Sequence, residues 1–150
     1  MKTEFKGEFI SKASRDKVFD FLLNPELLSE CLPDIQSVEI KSEDNFLAKV
    51  KVGVGFVKGN FNFDFKVIEK NPPIMAKLSA HGSGTGSKIE LETIMELTET
   101  TNGGTKMKWE ADTTMTGMMS GLGQGIIKST AEKMINQIFN NIKNELEKEE

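Results

Sequence analysis

Few side chains in this sequence are equipped for chemistry. His81 is its single histidine, Cys31 its single cysteine and Arg15 its single arginine. A nucleophile–histidine–acid triad would have to recruit His81, which stands beside the glycine-rich stretch Gly82-Ser83-Gly84-Thr85-Gly86 and reads as a surface or mouth histidine. Neither His81 nor Cys31 has partners at metal-ligand spacing, so no zinc or iron centre is expected. The glycine stretch superficially resembles a phosphate loop. A dinucleotide fingerprint, however, opens a helix, whereas here a strand follows, and the chain has no Walker-type pattern. Glu90, Glu92, Glu96, Glu110 and Asp112 alternate with apolar residues, which puts them on the wet face of strands beside lysines. A glycosidase-like carboxylate pair is not indicated.

Charge narrows the partners further. A net charge of -4 argues against a nucleic-acid role and disfavours an anionic-lipid patch, and a single arginine provides no forked guanidinium cluster. A lone cysteine allows no internal disulfide, and the amino terminus has no apolar run of a signal peptide. No stretch approaches the roughly 20 apolar residues of a membrane helix. These features point to the cytoplasm, with any membrane contact peripheral on its cytoplasmic face.

The elements that must position these residues are legible as two periodicities. Phe46, Ala48, Val50, Val52 and Val54 alternate with polar or small residues, and Phe61, Phe63, Phe65 and Val67 do the same. So do Ile74 to Ala80, Ile89 to Leu97 and Met107 to Met115, with a shorter version from Thr3 to Phe9. Period two with one polar face predicts antiparallel strands with one side in water. Ser14 can cap a helix running to Leu23, and Pro25 opens a second, short one through Cys31 that Pro33 stops. Ile127, Ala131, Met134, Ile135, Ile138, Ile142 and Leu146 recur at helical spacing, predicting one long helix from about Leu122 to about Lys148. The expected fold is α+β in the order β-α-α-β(6)-α: a curved antiparallel sheet of six or seven strands wrapped around that helix, in one domain over residues 1–150. No other element is long enough to cover the sheet's apolar face.

Connections in such a meander alternate between the two ends of the sheet. One end receives short polar turns. The other receives residues 53–59, 81–86 and 117–125, which hold ten of the thirteen glycines and several apolar side chains. Two readings stand. Phe56, Val57, Met118, Met119 and Leu122 form a movable gate and membrane contact, or the glycines relieve strain where curved strands reverse and the methionines are core. The inward positions predict a cavity lined by Phe63, Phe65, Leu78, Leu91, Met95, Trp109, Met115, Met134 and Ile138. An interior so rich in methionine and aromatic residues suits an apolar ligand of the lipid or isoprenoid class. A drug-sized ligand would need about 300–1,000 Å³.

Ordered motifs carry a resemblance. They are Asn24-Pro25-Glu26-Leu27 with Cys31-Leu32-Pro33, Val50 to Gly55 with Val57-Lys58-Gly59, and Asn71-Pro72-Pro73. Gly82 to Ser87, Gly103-Gly104-Thr105 with Trp109-Glu110-Ala111-Asp112, and Gly117 followed by Gly121-Leu122-Gly123 complete the set. Together they resemble the CoxG family of carbon monoxide dehydrogenase proteins, within the helix-grip (START-like, SRPBCC) superfamily. The resemblance implies a non-catalytic accessory protein of a molybdenum-containing carbon monoxide dehydrogenase or related hydroxylase. It also implies recruitment of that enzyme to the cytoplasmic membrane, binding of a lipid or respiratory quinone, and no covalently bound cofactor. Asp34 stands where the family more often has glycine. The sequence ends with the grip helix, where many members continue into a membrane-seeking tail, so a self-sufficient membrane anchor is not expected and a shuttle or partner-docked carrier stays open. The alternatives are a cyclase- or aromatase-like enzyme of the same superfamily, which needs polar groups in the cavity, and a protein-interaction adaptor with a filled core.

Overall fold

The computed structural model describes residues 2–54 and 57–148. Its strands are β1 (Lys2–Ser11), β2 (Ile35–Ser42), β3 (Asn45–Val54), β4 (Val57–Asn71), β5 (Met75–Gly84), β6 (Ser87–Glu99) and β7 (Thr105–Gly117). Its helices are α1 (Arg15–Leu22), α2 (Pro25–Glu30) and α3 (Gln124–Lys148), with a 3-10 turn at Met118–Leu122 before α3. All strand pairs are antiparallel, in the order β1-β7-β6-β5-β4-β3-β2. The sheet has seven strands, where six or seven were expected, and the expected long terminal helix is present. The first strand pairs with the last, so the meander turns back on itself and its concave face is left to α3.

Local signals account for the helix boundaries. The Ser14 hydroxyl accepts from Lys17 N, and Asn24 Oδ1 accepts from Glu26 N and Leu27 N, with Pro25 at the first helical position. Asp34, just past α2, has φ of 53°, the left-handed region that costs an L-residue energy and glycine nothing. Asp34→Gly relieves roughly 1 kcal/mol of left-handed strain but adds glycine's greater unfolded-state entropy, so a net gain of about a few tenths of a kcal/mol is expected, read as a slightly higher thermal midpoint. An unchanged or lower midpoint would show that the aspartate side chain compensates.

The concave face is the apolar one. Along β7, Met107, Trp109, Ala111, Thr113 and Met115 are all buried while Lys108, Glu110 and Asp112 are exposed. Helix α3 is held at its ends: Ile127, Ile142 and Leu146 are at most 1% exposed. Gln124 Nε2 donates to the Lys2 carbonyl (3.2 Å), Lys17 Nζ to that of Leu146 (3.4 Å) and Asn141 Nδ2 to that of Cys31 (3.0 Å). Between those anchors, Ala131, Met134, Ile135, Ile138 and Phe139 are only half-buried.

The glycine-rich end differs from expectation. Residues 81–84 continue β5, and the reversal to β6 is the two-residue turn Thr85-Gly86, with φ of 48° and 74°. Gly82 stands opposite Phe63, and a Cβ there would collide with the Phe63 ring. The glycine thus lets an aromatic ring lie flat across the sheet. Gly7 does the same for Trp109, whose Cζ2 would lie 2.8 Å from an added Cβ. At these positions glycine serves close packing within a strand.

Candidate functional site

A void of about 120 Å³ lies between the concave face and the middle of α3. Two stacked aromatic pairs wall it: Trp109 on Phe139 (centroids 4.8 Å apart) and Phe46 on Phe65 (4.7 Å). Leu78, Ala80, Leu91, Met95 and Ala111 form its floor, Ile135, Ile138 and Ile142 of α3 its roof, and Leu22, Leu28 and Leu32 one flank. Ser79 and Thr93 are the polar residues at its wall, and the Thr93 hydroxyl is spent on the Glu110 carbonyl at 2.9 Å. Among the described residues, no acid, base or thiol lines it.

Of the residues expected to line a cavity, Phe65, Leu78, Leu91, Met95, Trp109 and Ile138 surround the void. Phe63, Met115 and Met134 do not. They belong to a second apolar cluster, with Ala48, Val50, Phe61, Met119, Ile127 and Leu122, on the side of the glycine-rich end. The void is also smaller than a drug-sized ligand requires, because this cluster and the Phe46, Phe65 and Phe139 rings fill space that inward-facing residues alone suggested was open. Phe46, Ala80, Thr93, Ala111, Ile135 and Ile142 fit the expected periodicities without being named as cavity wall, and Ser79, Phe139 and the three leucines were missed as lining. Phe139 extends the 3.6-residue series of α3 and was findable. The leucines sit on α1, on α2 and just after it, and no linear spacing brings them to β3.

The expected gate residues that are described, Met118, Met119 and Leu122, share the 3-10 turn but differ in burial. Met118 is 53% exposed and Leu122 half-buried, but Met119 is 2% exposed, with its amide donating to Ser87 Oγ at 2.9 Å. Met119 is therefore core, pulled inward by that bond. Phe56 and the Val57 side chain lie outside the described residues. The connections at this end do meet: Met118 N donates to the Gly86 carbonyl at 3.1 Å. A separate narrow crevice beneath α2, past Leu23, Pro25 and Asp44, shares Leu22, Leu28, Phe46, Phe65 and Leu78 with the void as a common wall.

The remaining chemical candidates do not line the void. His81 lies on the wet face of β5, 60% exposed, with Nδ1 3.8 Å from Glu90 Oε1. Cys31 is buried, and desolvation first, then the Glu145 and Glu30 charges, push its thiol pKa up to about 11. At neutral pH it is a protonated, unreactive thiol. Among the described residues no three His, Cys, Asp or Glu side chains cluster to hold a metal ion, and no helix is long and apolar enough to cross a membrane.

A curved antiparallel sheet gripping one long helix over an apolar void defines the START-like, helix-grip class of protein. Within that class, the chain belongs to the carbon monoxide dehydrogenase CoxG family, whose pattern matches residues 7–147. A conserved protein from Geobacillus kaustophilus has a similar structure at 25% identity, with 97% of this chain and 96% of that one covered and a TM-score of 0.89. A START superfamily protein from Mycobacterium smegmatis is similar at 10% identity, 98% and 99% coverage and a TM-score of 0.73. The ZhuI aromatase/cyclase from Streptomyces sp. R1128 shares the fold at 12% identity, 98% and 94% coverage and a TM-score of 0.71. No curated protein matches the sequence.

Proposed function

We propose that this protein carries an apolar small molecule, of the lipid or isoprenoid-quinone class, as a non-catalytic accessory to a carbon monoxide dehydrogenase-type molybdenum hydroxylase. The observation that carries this reading is the void itself, walled by aromatic and aliphatic side chains and free of titratable groups. Membership of the CoxG family supports the accessory role. A void of about 120 Å³ takes a ring-sized group, comparable to the ~150 Å³ that admits benzene in an engineered protein core. A longer ligand needs α3 to lift from the sheet along its half-buried middle, while its two ends stay anchored.

The likeness to an aromatase/cyclase raises a second reading, an enzyme acting on a bound apolar substrate. Acid–base work needs a titratable side chain within hydrogen-bond reach of the substrate, and the void wall has none. The carrier reading therefore ranks first. Native mass spectrometry of gently purified protein should show an added mass that organic solvent extracts. A bare polypeptide mass, together with no Trp109 emission change on titration with a short-chain quinone, would leave the adaptor reading in its place.

The gate role belongs to this proposal, with Met118 as its exposed member in transient contact with the membrane surface. Met118→Ser is expected to slow uptake of a short-chain quinone from phosphatidylcholine vesicles several-fold, with thermal unfolding unchanged because the side chain is already half in water. Unaltered uptake would move the opening to the crevice beneath α2.

A further inference from the structure

Two buried hydroxyls on the concave face lack partners. Thr3 and Thr113 are 7% and 5% exposed, and neither Oγ1 has a hydrogen-bond partner among the described residues. The two residues stand opposite each other in the β1–β7 ladder. A hydroxyl turns freely about its Cβ–Oγ bond to find an acceptor, so both remain orphaned because none lies within reach. Burying an unpaired hydroxyl destabilises a protein, and valine has the same shape without that cost. Nothing in the sheet requires a polar atom at either position.

Their place relative to the void supplies a reason. The ladders set Thr113 against Leu91, Leu91 against Ala80, Ala80 against Phe65 and Phe65 against Phe46. Leu91, Ala80, Phe65 and Phe46 all line the void, and so does Ala111, the preceding inward residue of β7. Thr113 thus comes next in that cross-strand row, one position beyond the residues that border the void, with Thr3 beside it, so a ligand longer than the void would extend to them.

We propose that Thr113, backed by Thr3, is the polar handle of the ligand site and donates a hydrogen bond to a neutral carbonyl oxygen on an otherwise apolar molecule. This rests on the carrier reading and adds the ligand's chemistry to it. A carbonyl oxygen has two lone pairs and can accept from both hydroxyls. A carboxylate held in the void is disfavoured, because no lysine, arginine or histidine among the described residues lines it; Lys2, Lys6 and Lys128 border only the separate open pocket that Thr3 also borders. A pure hydrocarbon would leave both hydroxyls orphaned.

Acetophenone and ethylbenzene form a matched pair of probes, alike in shape and differing by C=O in place of CH2. Calorimetric titration of each into the unaltered protein, Thr113→Val and Thr3→Val/Thr113→Val separates the possibilities. Acetophenone should bind about five- to tenfold more weakly to the variants, while ethylbenzene binds all three proteins alike. Thermal midpoints of the variants should hold or rise, because an unpaired buried hydroxyl has been removed. If ethylbenzene binds and acetophenone affinity does not respond to the substitutions, the handle is wrong and the carrier reading survives. Equal weakening of both probes would assign the effect to altered shape and would also overturn the handle. If neither probe binds the unaltered protein, the carrier reading falls and the handle with it.

Discussion

Ala80→Leu should abolish ligand binding and leave the protein at least as stable as before. Ala80 is 2% exposed and its methyl faces the void between Leu91 and Phe65. Leucine adds three carbons to that space, and a ring-sized ligand cannot share what remains of about 120 Å³. Affinity for the extracted ligand, or for a short-chain quinone, should fall at least tenfold, about 1.4 kcal/mol. Filling a void with about three methylene equivalents could add up to ~2 kcal/mol of stability, reduced by any strain in seating the side chain. Titration and the denaturant midpoint, taken on the same preparation, check both halves. Retained affinity would place the ligand elsewhere, and a large loss of stability would show the void to be too tight for the leucine.

The largest effect on stability is expected at the far end of the grip helix. Leu146 is fully buried, in the cluster that contains Val18, Phe19 and Leu22 of α1 and Met107 of β7. Leu146→Ala should cost about 3 kcal/mol, since a close-packed site cannot collapse around the missing methyl groups. For a domain of this length that is a loss of roughly 10 °C in thermal midpoint. Ile138→Ala, eight residues earlier on α3, should cost clearly less, because Ile138 is half-buried and already borders empty space. Equal losses at the two positions would mean that the middle of α3 is packed as tightly as its ends, and that no ligand-accommodating weakness exists there.

Much of the architecture follows from patterns a few residues long. Alternation along Phe46–Val54 or Met107–Met115 needs only neighbouring residues to choose faces, and burial obeys it at each position from Met107 to Met115. The caps at Ser14 and Asn24 are equally local, each a side chain bonding to an amide two or three residues on. Strand ends were less legible. His81 to Gly84 has the composition of a loop, yet it is strand, because Gly82 receives the Phe63 ring from 19 residues away. No local signal distinguishes a glycine that frees the backbone from one that makes room for a neighbour.

The site divides along the same line. Sequence alone determined the concave set: which residues face inward, that they are apolar, and that one long helix must cover them. The tertiary structure alone decided which of those residues enclose space. Trp109 and Met115 lie on one face of one strand, six residues apart, yet Trp109 walls the void and Met115 is packed into the second cluster. That division depends on where the sheet stands away from α3, and on Leu22, Leu28 and Leu32 arriving from a separate segment to close the flank. Periodicity specifies direction, because side chains alternate about the backbone. It does not specify distance across a core, which is set by the volumes of side chains that meet only when the chain has folded.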